Sequence, residues 1–228
     1  HAVILCGGKS TRFESSTHKF LSKIDDVPFI QHLADFYFRN GCSEISLAVG
    51  DNYGEIVEWA ESFSSHCLKI NCVYTGSNSG TAKRIAAFKN IIDTNFFLTY
   101  ADALSDVDIG ALTNFHYRNN YILTITGIHP TLNFGVITCN SNNHVTGFIE
   151  KPKLNDLIIS GGFFICNPAI FYYLPDFMDV ETSFEKEIIP KIINDNNCGV
   201  YIHNGFWKCL DTQKDYQEFK EIFECTNL

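Results

Sequence analysis

The sequence predicts an α/β protein with a mixed, mainly parallel sheet flanked by helices. Three observations predict it. Short β-rich apolar runs alternate with longer amphipathic ones through the first half. The opening run Ala2-Val3-Ile4-Leu5-Cys6 is apolar throughout, as in a strand buried on both faces. The second half holds several strand-like runs with few helices between them, a mixed rather than a wound pattern.

The first strand ends at Gly7-Gly8, where the chain can turn sharply. A helix over residues 28–39 follows, with Phe29, Leu33, Phe36 and Tyr37 on one side and Asn40-Gly41 as its stop signal. Residues 45–49 read as a strand, 55–63 as a helix, 68–74 as a strand and 81–92 as a helix. Residues 96–100 form a short buried strand that stops at Ala101-Asp102. Beyond it, 121–128, 135–138, 145–149 and 163–165 are strand-like, with Asn142-Asn143 as a hairpin turn. Residues 184–193 and 214–224 are the late helices, the first broken or kinked at Pro190. No repeat or low-complexity linker divides the chain, so residues 1–228 are expected to form a single domain with two lobes.

Composition limits the function classes. Hydrophobic residues make up 45% and charged residues 19%, enough for a packed core and too little charge for a disordered chain. The net charge of −9 gives no general attraction for nucleic acid or an anionic membrane, so a polyanionic ligand needs a local site. No apolar run reaches the roughly 18 residues a spanning helix needs, and no leader precedes the first strand, which predicts a cytoplasmic protein. The nine cysteines are odd in number and scattered, without a C-x-x-C pair. They are expected to be reduced thiols, neither a disulfide framework nor a zinc site.

The strongest local signal is Gly7-Gly8-Lys9-Ser10-Thr11-Arg12 directly after the first strand, with Lys19 following. Two glycines bring consecutive N–H groups close to a ligand, hydroxyls add donors and Arg12 adds a planar fork of charge, a cradle suited to a triphosphate. The spacing matches neither the Walker loop nor G-x-G-x-x-G, and an ordinary glycine turn with a surface arginine is the alternative. Asp102 falls just past the carboxyl end of an apolar strand, where open α/β sheets bind ligands, and it is a candidate for Mg²⁺. Mg²⁺ takes one or two protein carboxylates, and Asp211 is the natural second. Asp211 reads equally well as an N-cap of the last helix, and Asp106 and Asp108 as caps near Ile109. Glu150-Lys151-Pro152 sets a carboxylate beside an ammonium, while Ser160-Gly161-Gly162 lets backbone approach a ligand or marks a bulge.

Taken in order, these segments resemble the sugar-1-phosphate nucleotidyltransferases over nearly the whole chain. The motifs are Gly7 to Arg12, His18-Lys19-Phe20, Gly80-Thr81-Ala82, Asp102, Glu150 to Pro152 and Asp211. Among subgroups, residues 99–108, 133–136, 161–164 and 205–212 look most like glucose-1-phosphate cytidylyltransferases, which makes CTP the leading nucleotide. Ser10 stands where the family has glycine, the prolines around Lys19 are missing and Ala101 replaces a glycine, so base and sugar stay open. A guanylyl- or thymidylyltransferase, a non-sugar phosphate acceptor and a nucleotide-sensing protein without turnover are the alternatives.

The resemblance implies a Rossmann-like fold, with a nucleotide-binding lobe over about 1–120 and a sugar-phosphate lobe over about 121–228. It implies Mg²⁺ on Asp102 and Asp211, and catalysis by Arg12 and Lys19. The nucleotide would meet Leu5, Gly7, Gly8, Ser10, Thr11, Arg12, Lys19, Gly80, Thr81 and Ala101. The sugar phosphate would meet Gly135, Glu150, Lys151, Gly161, Gly162 and Trp207. Its partners would be a nucleoside triphosphate and a sugar 1-phosphate, with no nucleic acid and no membrane, and a homo-oligomer stays open.

Overall fold

The computed structural model describes residues 1–8, 19–51, 53–63 and 67–226. Strand β1 (Ala2–Cys6) is followed by the short pair β2 (Lys23–Ile24) and β3 (Val27–Pro28), then α1 (Phe29–Arg39), β4 (Glu44–Val49), α2 (Tyr53–Phe63) and β5 (Lys69–Tyr74). Helix α3 (Thr81–Ala86) leads to β6 (Phe96–Tyr100), β7 (Ala103–Ser105), α4 (Ile109–Asn119) and β8 (Leu123–Ile128). The hairpin β9 (Val136–Cys139) and β10 (Val145–Ile149) precedes the long β11 (Ile159–Cys166). A π-helical turn (Phe184–Ile188) runs into α5 (Ile189–Asn194), and β12 (Cys198–His203), β13 (Trp207–Cys209) and α6 (Gln213–Thr226) complete the described chain.

Seven strands form one sheet in the order β12-β8-β11-β6-β1-β4-β5. Neighbours pair in parallel except β11, which runs antiparallel to both β6 and β8. The expected mixed, mainly parallel sheet between helices is therefore present, and strands from both halves of the chain share it. Strand β1 sits inside the sheet with every residue buried, which is why its sequence is apolar without alternation. Ala2, Ile4 and Cys6 enter one core with Phe29, Leu33, Trp59, Phe163 and Phe219. Val3 and Leu5 enter the other with Ile85, Phe88, Phe164 and Phe184. Each large side chain removed from water contributes about 1.5–3 kcal/mol, so both faces drive the layering.

Local signals account for most boundaries. Helix α1 buries Phe29, Ile30, Leu33, Ala34 and Tyr37 along one face and stops at Asn40, with Gly41 at φ 90°. Asp108 caps α4, its carboxylate accepting from Ala111 N at 2.8 Å. The π turn precedes Pro190, which stands in the first turn of α5 where a missing N–H costs little.

Helix α3 is shorter than the 81–92 expected. Past Ala86 the chain tightens, with Phe88 N bonding Ile85 O at 3.0 Å and Lys89 N bonding Ala86 O at 3.1 Å, and Phe88 and Ile92 turn into the core. The sequence reading passed over β2, β3, β7, β12 and β13. The first two are joined by Asp25 and Asp26 at φ 51° and 59°, the paired left-handed turn that a tight hairpin requires.

The ribbon formed by β7 and β13 positions the site. Ala103 pairs with Cys209, and Leu210 N donates to Asp102 O at 2.7 Å, so the middle of the chain meets its last sixth beyond the carboxyl end of β6. Among the described residues no helix is long and apolar enough to cross a membrane.

Candidate active site

Asp102 and Asp211, 109 positions apart in the chain, face the same ammonium group. Lys19 Nζ lies 3.1 Å from Asp211 Oδ1 and 3.7 Å from Asp102 Oδ2. The Lys19 side chain is only 8% exposed, whereas the two carboxylates keep 40% and 44% of their surface open to solvent. The cation is thus buried beneath an acidic pair that remains accessible. Burial pushes the Asp102 carboxyl above its ordinary range; the Lys19 charge opposes that shift and Asp211 adds to it.

The capping role open to Asp211 belongs to its neighbour. Thr212 Oγ1 accepts from Asp215 N at 3.2 Å, and Asp215 Oδ2 accepts from Thr212 N at 2.8 Å, a reciprocal box at the start of α6. The side chain of Asp211 is therefore not spent on the helix end. Asp106, the other acid in this stretch, pairs with His203 at 2.9 Å.

Behind Asp102 opens a cavity of about 590 Å³, lined by Tyr100, Ala103, Gly161, Gly162, Glu185 and Trp207 among others. Trp207 Nε1 donates to Gly161 O at 2.6 Å, which fixes the indole against the backbone of β11. Gly162 adopts φ 76°, and a Cβ there would stand 2.9 Å from the Tyr100 ring, so glycine is required for both reasons. The register of β11 slips between Ser160 and Phe164, and Gly161-Gly162 forms that irregularity.

Gly7 and Gly8 line a second cavity of about 630 Å³ together with Ser77, Asn78, Ser79, Arg84, Val180 and Glu181. Arg84 is buried. It donates to Gly7 O at 2.7 Å and to Thr75 Oγ1 at 2.6 Å, tying the ends of β1 and β5 together. A Cβ on Gly7 would come within 1.8 Å of the Arg84 guanidinium, so this glycine makes room for a neighbour. Burial pulls the Arg84 pKa down from its usual value, with the charge of Asp51 opposing.

The remaining candidates are placed as follows. Leu5 and Ala101 are buried and joined by Ala101 N bonding Leu5 O at 3.2 Å. Gly80 packs on the backbone of 181–182 and donates to Val180 O at 2.6 Å. The Thr81 hydroxyl donates to Glu185 Oε2 at 2.7 Å and accepts from Phe184 N at 2.8 Å. Gly135, Glu150 and Lys151 do not line either cavity; they lie at the base of the exposed β9–β10 hairpin, where a Cβ on Gly135 would meet Phe148 at 2.3 Å and Glu150 Oε2 at 3.0 Å. Ser10, Thr11 and Arg12 lie outside the described residues.

Sequence reasoning missed Arg84 and Glu185. Arg84 follows Lys83 on a short helix, and no local pattern marks which of the two is buried. Glu185 stands in a charged stretch with Lys186 and Glu187 that reads as a solvated face.

Among the described residues no group of three or more His, Cys, Asp or Glu side chains is arranged to hold a metal ion. The available oxygen donors are the two carboxylates over Lys19. That is the ligand count and hardness that suit Mg²⁺, which keeps waters and substrate phosphates for its other positions.

A model of the family described as nucleotidyl transferase matches residues 1–224. The chain is 33% identical over 246 aligned positions to a probable glucose-1-phosphate cytidylyltransferase of Bacillus subtilis (strain 168), covering 97% of this chain and 95% of that one. It is 28% identical to the glucose-1-phosphate cytidylyltransferase of Salmonella typhimurium, covering 98% and 95%. In structure it superposes with a TM-score of 0.78 on a candidate glucose-1-phosphate thymidylyltransferase of Bacillus anthracis, over 100% of this chain and 96% of that one at 15% identity, a likeness of fold.

Proposed function

This chain belongs to the nucleotidyl transferase family and is a sugar-1-phosphate nucleotidyltransferase, and from that premise we propose that it joins CTP to a glucose-1-phosphate-like acceptor with the aid of Mg²⁺. The observation that carries the reading is the meeting of Asp102 and Asp211 over Lys19, with Asp102 also lining the cavity that holds Trp207 and Gly161-Gly162. CTP is favoured by the names of the two bacterial relatives and by the motifs shared with their subgroup.

In the proposed reaction an oxygen of the sugar 1-phosphate attacks the α-phosphorus of the triphosphate in line. The new P–O bond forms as the bond to pyrophosphate breaks, and pyrophosphate leaves from the opposite face. The attacking phosphate is already an anion near neutral pH, so no side chain removes a proton. Positioning and charge neutralisation supply the catalysis.

Asp102 and Asp211 would hold Mg²⁺, which when bound supplies positive charge to phosphate oxygens. Lys19 brings a second cation to the same place and is assigned the α-phosphate region. Arg12 is assigned the leaving pyrophosphate. Gly7 and Gly8 offer backbone to the triphosphate and Arg84 holds Gly7 in place. On the acceptor side the indole of Trp207 and the backbone of Gly161-Gly162 shape the pocket, and Lys151 and Glu150 are assigned the attacking phosphate and a sugar hydroxyl.

The test is pyrophosphate release from a panel of CTP, GTP, UTP, dTTP and ATP against several sugar 1-phosphates, with and without Mg²⁺. The reading expects Mg²⁺-dependent release with CTP foremost. Preference for another nucleotide overturns the cytidylyl assignment, and release that ignores Mg²⁺ overturns the metal assignment.

A further inference from the structure

We infer that Glu185, on the π turn before α5, is an acceptor-binding residue that takes a hydroxyl of the sugar through its carboxylate and selects against an acceptor lacking that hydroxyl. The inference rests on the reading of the 590 Å³ cavity as the acceptor pocket.

Four features carry it. Glu185 lines the cavity that contains Asp102, Gly161, Gly162 and Trp207. Its carboxylate is held in place by three hydroxyls from separate segments: Tyr100 Oη donates to Oε1, while Thr81 and Ser183 each donate to Oε2 at 2.7 Å. A carboxylate offers about four acceptor positions, so these bonds orient the group and leave capacity for one more donor. Ser183 in turn accepts from Lys186 N at 3.2 Å at the start of the turn. Finally, the turn that carries Glu185 is π-helical, a rare geometry found frequently at functional sites.

The carboxylate is also in the right ionic state for the task. Burial pushes it up, but the hydrogen bonds from Tyr100, Ser183 and Thr81 outweigh that and hold Glu185 below the usual carboxylate range. An ionised acceptor oriented in this way binds a hydroxyl donor strongly and repels an anionic group in its place. A second phosphate or a carboxylate on that part of the acceptor would therefore be excluded.

The experiment compares wild-type protein, Glu185→Gln and Glu185→Asp with CTP and with a sugar 1-phosphate and its mono-deoxy analogues, reading pyrophosphate release. A hydrogen bond to a charged group is lost in the variants, so the acceptor KM is expected to rise about 10- to 100-fold in Glu185→Gln while the nucleotide KM stays within about twofold. One mono-deoxy acceptor should show a loss of similar size with wild-type protein and little further loss with Glu185→Gln, because both changes delete the same bond. The shortened carboxylate of Glu185→Asp should give an intermediate loss on the acceptor alone. The inference is overturned if the folded variants change both KM values equally or neither. It is also overturned if no mono-deoxy analogue loses rate with the wild-type protein, a comparison that needs no variant. Absence of wild-type release with every sugar 1-phosphate would overturn the acceptor-pocket reading itself and this inference with it.

Discussion

Lys19 Nζ stands 3.1 Å from Asp211 Oδ1 across 192 residues of chain, and the same ammonium faces Asp102. A buried lysine beneath two accessible carboxylates lowers the repulsion between the two acids. The short ribbon of β7 and β13 enforces the meeting through its backbone, so substitution of either acid should leave the meeting point intact.

Asp211→Asn and Asp102→Asn should each lower turnover by about 10²- to 10³-fold, the effect of removing one preorganised charge. Unfolding in urea should show the helix start of α6 undisturbed in Asp211→Asn, because Thr212 and Asp215 make the cap. Thr212→Ala should behave in the opposite way, costing about 1 kcal/mol of stability while Mg²⁺ dependence is retained. Asparagine caps as well as aspartate, so Mg²⁺ dependence left unchanged in Asp211→Asn would return Asp211 to a capping role.

Gly7→Ala and Gly8→Ala separate two neighbouring glycines by their surroundings. A Cβ on Gly7 meets the Arg84 guanidinium at 1.8 Å, and one on Gly8 meets nothing within 4 Å. Gly7→Ala should therefore lose about 1–3 kcal/mol of stability through overpacking, measured by denaturant unfolding, while Gly8→Ala stays close to wild type. A stable Gly7→Ala would show that Arg84 has somewhere else to go.

Stability at low pH should depend on Asp215. Burial raises its carboxyl, but the hydrogen bonds from Thr212 and from the Thr212 and Asp211 backbone outweigh this and lower it. An acid with a depressed folded pKa stabilises the protein above its unfolded value near 3.9, and that contribution is lost as pH falls through the folded value. Thermal melts between about pH 5 and pH 2 should fall less steeply in Asp215→Asn than in the wild type. An unchanged slope would remove Asp215 from the acid limb.

The cysteines should divide by burial. Cys6 and Cys166 are fully buried and desolvation pushes both thiols well up, whereas Cys67 and Cys139 are exposed. Brief alkylation of native protein followed by peptide mass spectrometry should label Cys67 and Cys139 and spare Cys6 and Cys166 until the chain is unfolded. Labelling of Cys6 in native protein would mean that β1 opens.

The sheet was legible where burial leaves a mark in residue type. The apolar runs of β1, β4 and β6 announce themselves because both faces are covered, and α1 shows its stripe in Phe29, Leu33 and Tyr37. Strand β12 was missed because Gly199, whose missing side chain gives Tyr121 its place, interrupts the pattern. Strands β7 and β13 are three residues each, too short to show a period. At the site, Asp102 and Asp211 could be named from their motifs, and Gly161, Gly162 and Trp207 likewise fall together in the cavity behind Asp102. Arg84 and Glu185 could not be named. A buried arginine and a solvated one have the same local sequence, and what distinguishes Glu185 is three hydroxyls that only tertiary packing delivers.

Strand β11 has one more consequence, for synthesis on the ribosome. Its residues are made well after those of β6, so the outer edge of β6 lies unpaired on the growing chain until β11 has left the exit tunnel. At ordinary elongation rates that interval is on the order of ten seconds, during which an apolar edge is open to pairing with another nascent chain. The antiparallel insertion of residues 159–166 is the step that covers this edge of β6 and closes the sheet.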